Sequence, residues 1–161
     1  LSIFSLPDLL HRVGAGRKLS DIEFLAIKEF GGKLKKNEGF LSATGTLATL
    51  TAAGGKDMYI ARAKVTLYLN ATRKSSVADK VELQINGTNV ETAVWTVQGS
   101  STSQDSGVNA IIYEFKNIGH KVLATQIIKL EVITLSAEVD VEGFIECFEE
   151  TTGVSPQIPP L

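Results

Sequence analysis

The sequence predicts an all-β fold: an antiparallel β-sandwich, jelly-roll or Greek-key in type, of about eight strands, preceded by a short helical N-terminal segment. Three observations carry this. From Met58 to Phe148 apolar and polar residues alternate with a period of two, interrupted at regular intervals by Gly, Asn and Ser turn signals. Asn86-Gly87 sits between two such runs, and both residues tolerate the positive φ of a type I′ hairpin turn. No helical crossover separates the runs, which argues against a parallel sheet.

The elements follow in chain order. Ser5-Leu6-Pro7-Asp8 reads as a helix start, and Leu9, Leu10 and Val13 follow before Gly14-Ala15-Gly16 stops it. Ser20 and Glu23 form a capping box for a second helix, whose apolar face is Ile22, Leu25, Ala26 and Phe30. Gly31-Gly32 ends it. The basic stretch from Gly32 to Gly39 reads as a linker. From Phe40 to Ala52 a Thr-, Leu- and Ala-rich run predicts a strand or strand pair, closed by a tight turn at Ala53-Gly54-Gly55-Lys56-Asp57.

Met58 to Asn70 is the clearest strand. Strict alternation puts Tyr59, Ala61, Ala63, Val65, Leu67 and Leu69 on the core face and Arg62, Lys64 and Thr66 on the wet one. Residues 71–79 read as a polar loop. Val81 to Ile85 and Thr88 to Val97 form the hairpin, with Trp95 on the return strand, and residues 99–107 read as a surface loop. Ala110 to Lys116 points Ile111, Tyr113 and Phe115 inward. After a turn at Asn117 to His120, the last strands are Val122 to Leu135, with a bulge where the parity slips at Val132-Ile133, and Ala137 to Phe148. The prolines near the C-terminus favour an extended tail. Three regions result: an N-terminal helical anchor segment and linker, 1–38; a sandwich domain, 39–150; and a Pro-rich tail, 151–161.

At 161 residues, 43% hydrophobic and with a mean hydropathy of +0.11, the chain has material for a core of its own. A net charge of -2 argues against a nucleic-acid partner. The charge is unevenly placed: residues 1–38 hold seven Lys/Arg against five acids, and residues 130–161 hold seven acids and no Lys or Arg. Such an asymmetry suits two different neighbours or head-to-tail contact between copies, or two solvated faces. One cysteine allows no intrachain disulfide. No apolar run reaches the roughly 18 residues of a spanning helix, so no membrane span is expected.

Chemistry is sparse, and no catalytic residue, cofactor or metal site is expected. Gly14-Ala15-Gly16-Arg17-Lys18 and Gly54-Gly55-Lys56 lack the spacing of a phosphate-binding loop. His11 and His120 have no ligand set around them. Cys147 alternates with Ile145 and Gly143, so it points inward, and neighbouring glutamates raise rather than lower its pKa. Those glutamates suit the wet face of a strand that resists aggregation. Trp95 reads as core or, alternatively, as a sugar-stacking platform. Phe144 and Phe148 share the face opposite Ile145 and Cys147. Both faces of that strand are thus partly apolar, which predicts an assembly interface of Ile22, Leu25, Phe30, Phe144 and Phe148, or cover by the N-terminal helix.

The run Thr51-Ala52-Ala53-Gly54-Gly55-Lys56-Asp57-Met58-Tyr59-Ile60 resembles the lead-in to a long strand in bacteriophage and viral jelly-roll proteins. Val139-Asp140-Val141-Glu142-Gly143-Phe144-Ile145-Glu146 resembles their closing strand, and Gly119-His120-Lys121-Val122 sits where such proteins turn before the last hairpin. The resemblance covers roughly residues 50–150 and lies in strands and turns, not in a catalytic signature. It implies a non-enzymatic virion structural protein: a capsid decoration, head fibre, collar or tail appendage. It further implies a homotrimer of copies of itself, docked on other virion proteins through residues 1–38. The alternative is a carbohydrate-binding or adhesin-like sandwich, extracellular or at the cell surface, that meets a host-surface glycan.

Overall fold

The computed structural model describes residues 33–97, 103–104 and 109–149. Eleven strands form among them: β1 (Lys33–Leu41), β2 (Gly45–Thr51), β3 (Met58–Leu69), β4 (Lys74–Ser75), β5 (Asp79–Ile85), β6 (Thr88–Trp95), β7 (Ser103–Gln104), β8 (Ala110–Glu114), β9 (Lys121–Val122), β10 (Ile127–Thr134) and β11 (Val139–Glu149). One sheet runs β1-β11-β3-β8, with β9 on the start of β3. The facing sheet runs β2-β10-β5-β6, and β4 pairs with β7 in a small ribbon. All these pairings are antiparallel.

Eight of the strands are longer than two residues. The chain changes sheet at every connection between them except the β5–β6 hairpin. This is jelly-roll winding, and it makes the fold the predicted antiparallel sandwich. The inward faces supply one core, with Val65, Leu67, Val141 and Ile145 from one sheet and Val81, Leu83, Ile128 and Leu130 from the other. The two helices expected before Gly14 and before Gly31 lie outside the described residues, as does the C-terminal tail.

Local chemistry explains the turns. Asn86 and Gly87 adopt φ of 50° and 82°, the left-handed pair a type I′ hairpin needs. At Gly55, φ is 75°, and Lys56 N donates to the Ala53 carbonyl at 3.1 Å. The β10–β5 register slips between Val132 and Thr134, where the parity break predicts a bulge.

Four expectations need correction. The stretch read as a basic linker is strand β1, which pairs with β11 from Lys33↔Glu149 to Leu41↔Val141. Over Lys33 to Gly39 this edge strand shows no apolar alternation, and two of its lysines are ion-paired: Lys35 to Glu149 at 3.1 Å and Lys36 to Glu38 at 3.4 Å. Second, β3 does not alternate strictly. Its register against β11 slips between Glu146 and Cys147, so Ala61 is the extra residue. That slip flips the parity, and Met58 and Ile60 enter the core cluster in place of Tyr59.

Third, the run from Val122 to Leu135 is two strands. A turn divides them, with Thr125 at φ 71° and Leu123 N donating to Gln126 Oε1 at 3.0 Å. Fourth, the polar loop 71–79 contains a buried anchor. Lys74 and Asp79 are both fully buried and paired at 2.9 Å. Lys74 Nζ also donates to the carbonyls of Val77 (2.6 Å) and Ser75 (3.3 Å), and it lies 5.5 Å from the Trp95 ring. Asp79 Oδ1 accepts from Ser136 N at 2.6 Å and Ser136 Oγ at 2.7 Å. Asp79 Oδ2 takes no well-aligned hydrogen bond and is compensated by the ammonium charge alone.

Candidate functional site

The outer face of the β1-β11-β3-β8 sheet carries the candidate site. Strand register places side chains there in cross-strand rows. One row is Phe40, Glu142, Thr66 and Ile112; the next is Glu38, Phe144, Lys64 and Glu114. Between these rows lies a depression of about 440 Å³ on β1, β11 and β3, lined by these side chains except those of β8.

Two glycines make its floor. Gly39 and Gly143 face each other across β1 and β11 on the core side. A Cβ on Gly39 would stand 1.9 Å from the Leu47 carbonyl oxygen. One on Gly143 would stand 2.6 Å from the Lys64 carbonyl oxygen and 3.0 Å from Leu47 Cδ2. With no side chain on either glycine, Leu47 of β2 seats directly under this pair, and both glycines line the depression on the outer side.

The walls combine aromatic surface with polar groups. Phe40 is 54% exposed, and its ring centroid is 6.4 Å from that of Tyr68 at 39°, so the two form a tilted apolar shelf. Burial, Glu142 and Asp140 raise the Tyr68 pKa. Phe144 is held between two cations, with Lys36 Nζ 4.8 Å and Arg62 Cζ 5.3 Å from its centroid. Those cations are themselves anchored, Lys36 on Glu38 and Arg62 on Glu114. Phe144 is therefore a fixed wall, and the open ring surface belongs to Phe40 and Tyr68. Lys64 and Glu142 differ from their neighbours: among the described residues neither has an ion-pair or hydrogen-bond partner for its charged group. They are diagonal neighbours across β3 and β11. The site thus offers a shelf of ring carbon beside one free donor and one free acceptor.

Of the residues the sequence singled out, only Phe144 belongs to this site. Phe148 lies on the same face but is 1% exposed and cross-strand from Tyr59, so it offers no open contact surface. Ile22, Leu25 and Phe30 lie outside the described residues. Trp95 is 6% exposed and sits in the core cluster with the Lys74 ammonium over its ring, which corrects its reading as a stacking platform. Cys147 faces the core, and burial pushes its thiol up to about 12, with Lys35 opposing and Glu146 adding to the shift. His120 is exposed in a turn. Among the described residues no three His, Cys, Asp or Glu side chains gather as a metal site would require. No helix among them is long and apolar enough to cross a membrane.

Phe40 and Tyr68 were missed, although a signal existed for Tyr68. It shares the parity of Arg62, Lys64 and Thr66, so it is an aromatic ring on a face otherwise polar.

No family model and no curated protein matches the chain. Solved structures do. The catalytic domain of Agl-KA matches with a TM-score of 0.38 at 12% identity, over 70% of this chain and 21% of that one. The CBM36-1 domain of a multidomain xylanase from the hindgut metagenome of Trinervitermes trinervoides matches with a TM-score of 0.32 at 18% identity, over 71% of this chain and 96% of that one. A family two carbohydrate esterase from Clostridium thermocellum, in complex with cellohexaose, matches with a TM-score of 0.30 at 16% identity, over 70% of this chain and 30% of that one. The chain therefore spans under a third of the length of the first and third. At TM-scores of this size these likenesses say nothing about what the chain binds.

Proposed function

We propose that this chain is a non-enzymatic carbohydrate-binding β-sandwich module, extracellular or at a cell surface, with the depression between β1, β11 and β3 as its binding face. One observation carries this: an aromatic shelf, exposed Phe40 with half-buried Tyr68, stands beside Lys64 and Glu142, whose charged groups have no ion-pair or hydrogen-bond partner among the described residues. A sugar ring has an apolar face of C–H groups and a rim of hydroxyls that both donate and accept. Ring carbon flanked by one donor and one acceptor complements it. Cys147, the single thiol, faces away from this surface and is disarmed by burial.

Affinity electrophoresis in gels loaded with different polysaccharides tests the proposal. Retardation by at least one polysaccharide is expected, and Phe40→Ala should abolish it without loss of the folded circular-dichroism spectrum. Retardation that persists undiminished in Phe40→Ala and in Lys64→Ala would place binding elsewhere.

A second function rests on the same face. Phe40 and Ile112 are 54% and 65% exposed, which suits contact between copies, as in a trimeric virion structural protein. Under it, light scattering gives a trimer mass that Phe40→Asp reduces to a monomer. A monomer at all concentrations removes it.

A further inference from the structure

We propose that the depression, together with Ile112 beyond its edge on β8, takes an internal stretch of a neutral polysaccharide chain, laid across the strands along the row Phe40, Glu142, Thr66 and Ile112; this rests on the carbohydrate-binding function proposed above and names its ligand class.

The first argument is reach. The row crosses β1, β11, β3 and β8, one residue from each. Neighbouring strands lie about 4.8 Å apart, so the row spans roughly 14 Å. Its two ends are the exposed apolar side chains, Phe40 and Ile112. Its middle is polar. A single sugar touches one end or the middle. A chain of several rings touches both ends and the middle together.

The second argument is charge. The outward positions of this face hold Lys36, Arg62, Lys64 and Lys121 against the carboxylates Glu38, Glu114, Asp140, Glu142 and Glu146. Lys36, Arg62 and Lys121 are already neutralised by partners, the last by Asp57. The remaining field is negative and disfavours a uronate or sulfate. A cationic amino sugar would gain from that field but would meet the Lys64 ammonium, the one cation among the described residues that line the depression. Free Lys64 and free Glu142 side by side suit adjacent neutral hydroxyls, one accepting from the ammonium and one donating to the carboxylate.

Calorimetric titration of the full chain tests this with neutral glucan, xylan and mannan oligosaccharides from one to six sugars. Polygalacturonate is titrated in parallel, each ligand at low and high salt. For at least one neutral series, affinity should rise by at least about tenfold between one and four sugars and stay unchanged by salt. Ile112→Ala, a change at an exposed position, should remove most of that gain. A monosaccharide bound as tightly as its tetramer would overturn the extended mode. Preference for polygalacturonate, lost at high salt, would overturn the neutral ligand. Both of those outcomes leave the carbohydrate function standing, whereas binding of no saccharide by the unaltered chain would remove that function and this inference together.

Discussion

Lys74→Met should cost about 3–5 kcal/mol of folding stability, the usual consequence of leaving one half of a buried ion pair behind. The structure explains why so little compensates. Lys74 and Asp79 are both fully buried. Asp79 Oδ1 keeps its two donors from Ser136, but Oδ2 has only the ammonium at 2.9 Å. Removing the ammonium leaves a buried carboxylate half solvated, and it takes the donor from the Val77 carbonyl as well. For a chain of this size each kcal/mol lowers the melting temperature by roughly 2–4 °C, so a fall of about 6–20 °C is expected. Urea unfolding followed by the emission of Trp95, the one tryptophan and a core residue, measures the same loss. The double variant Lys74→Met/Asp79→Leu should recover only part of it. The pair is then gone, but Ser136 N and Oγ lose their acceptor, at about 1–3 kcal/mol each. A single Lys74→Met variant within 1 kcal/mol or so of the unaltered chain would refute this account.

Gly143→Ala should destabilise by roughly 1–3 kcal/mol in chemical denaturation, and Gly39→Ala by more, because its Cβ would stand 1.9 Å from a backbone carbonyl oxygen against 2.6 Å at Gly143. Trp95→Ala should cost about 3–5 kcal/mol as a core truncation, whereas a folded variant of full stability would return Trp95 to the surface. Burial pushes the Glu149 carboxyl up, but the Lys35 hydrogen bond at 3.1 Å, the charges of Lys35 and Lys56 and a backbone bond from Ala53 outweigh it and hold the group below its usual 4.5. Its contribution is therefore present above about that pH and is lost as pH falls through the folded value, and Lys35→Met should flatten that acid loss in melting curves. Cys147 should stay unmodified by a thiol reagent at pH 8 in the native chain and react on addition of denaturant, since its thiol is buried and lifted to about 12.

The strands were legible where one face is dry and the other wet. Val81, Leu83 and Ile85 alternate because their period of two matches the pleat, and Asn86-Gly87 names its own turn because few residues accept positive φ. Lys33 to Gly39 misled because an edge strand on a charged surface carries no apolar alternation, and its partner in β11 is far along the chain. Tyr59 misled because one extra residue at Ala61 reverses every assignment before it. Lys74 gave no warning at all. A lysine in a polar stretch reads as solvated, and only the spatial meeting of residues 74–79 with Ser136 makes burial affordable.

By itself, then, the sequence determined the antiparallel sandwich, the hairpin turns, the bulge near Val132 and the inward thiol of Cys147. Each of these follows from periodicity or backbone preference within a few neighbouring residues. Tertiary structure alone decided the groove, because its parts come from three strands that are distant in the chain. Phe40 reaches it through β1, Lys64 through β3, and Glu142 and Phe144 through β11, with Tyr68 of β3 packed beside Phe40. What joins them is the pairing register and the glycine pair that lets β2 press against the sheet from below. Neither is written in local sequence, since register is settled only when all the strands bury their apolar faces together.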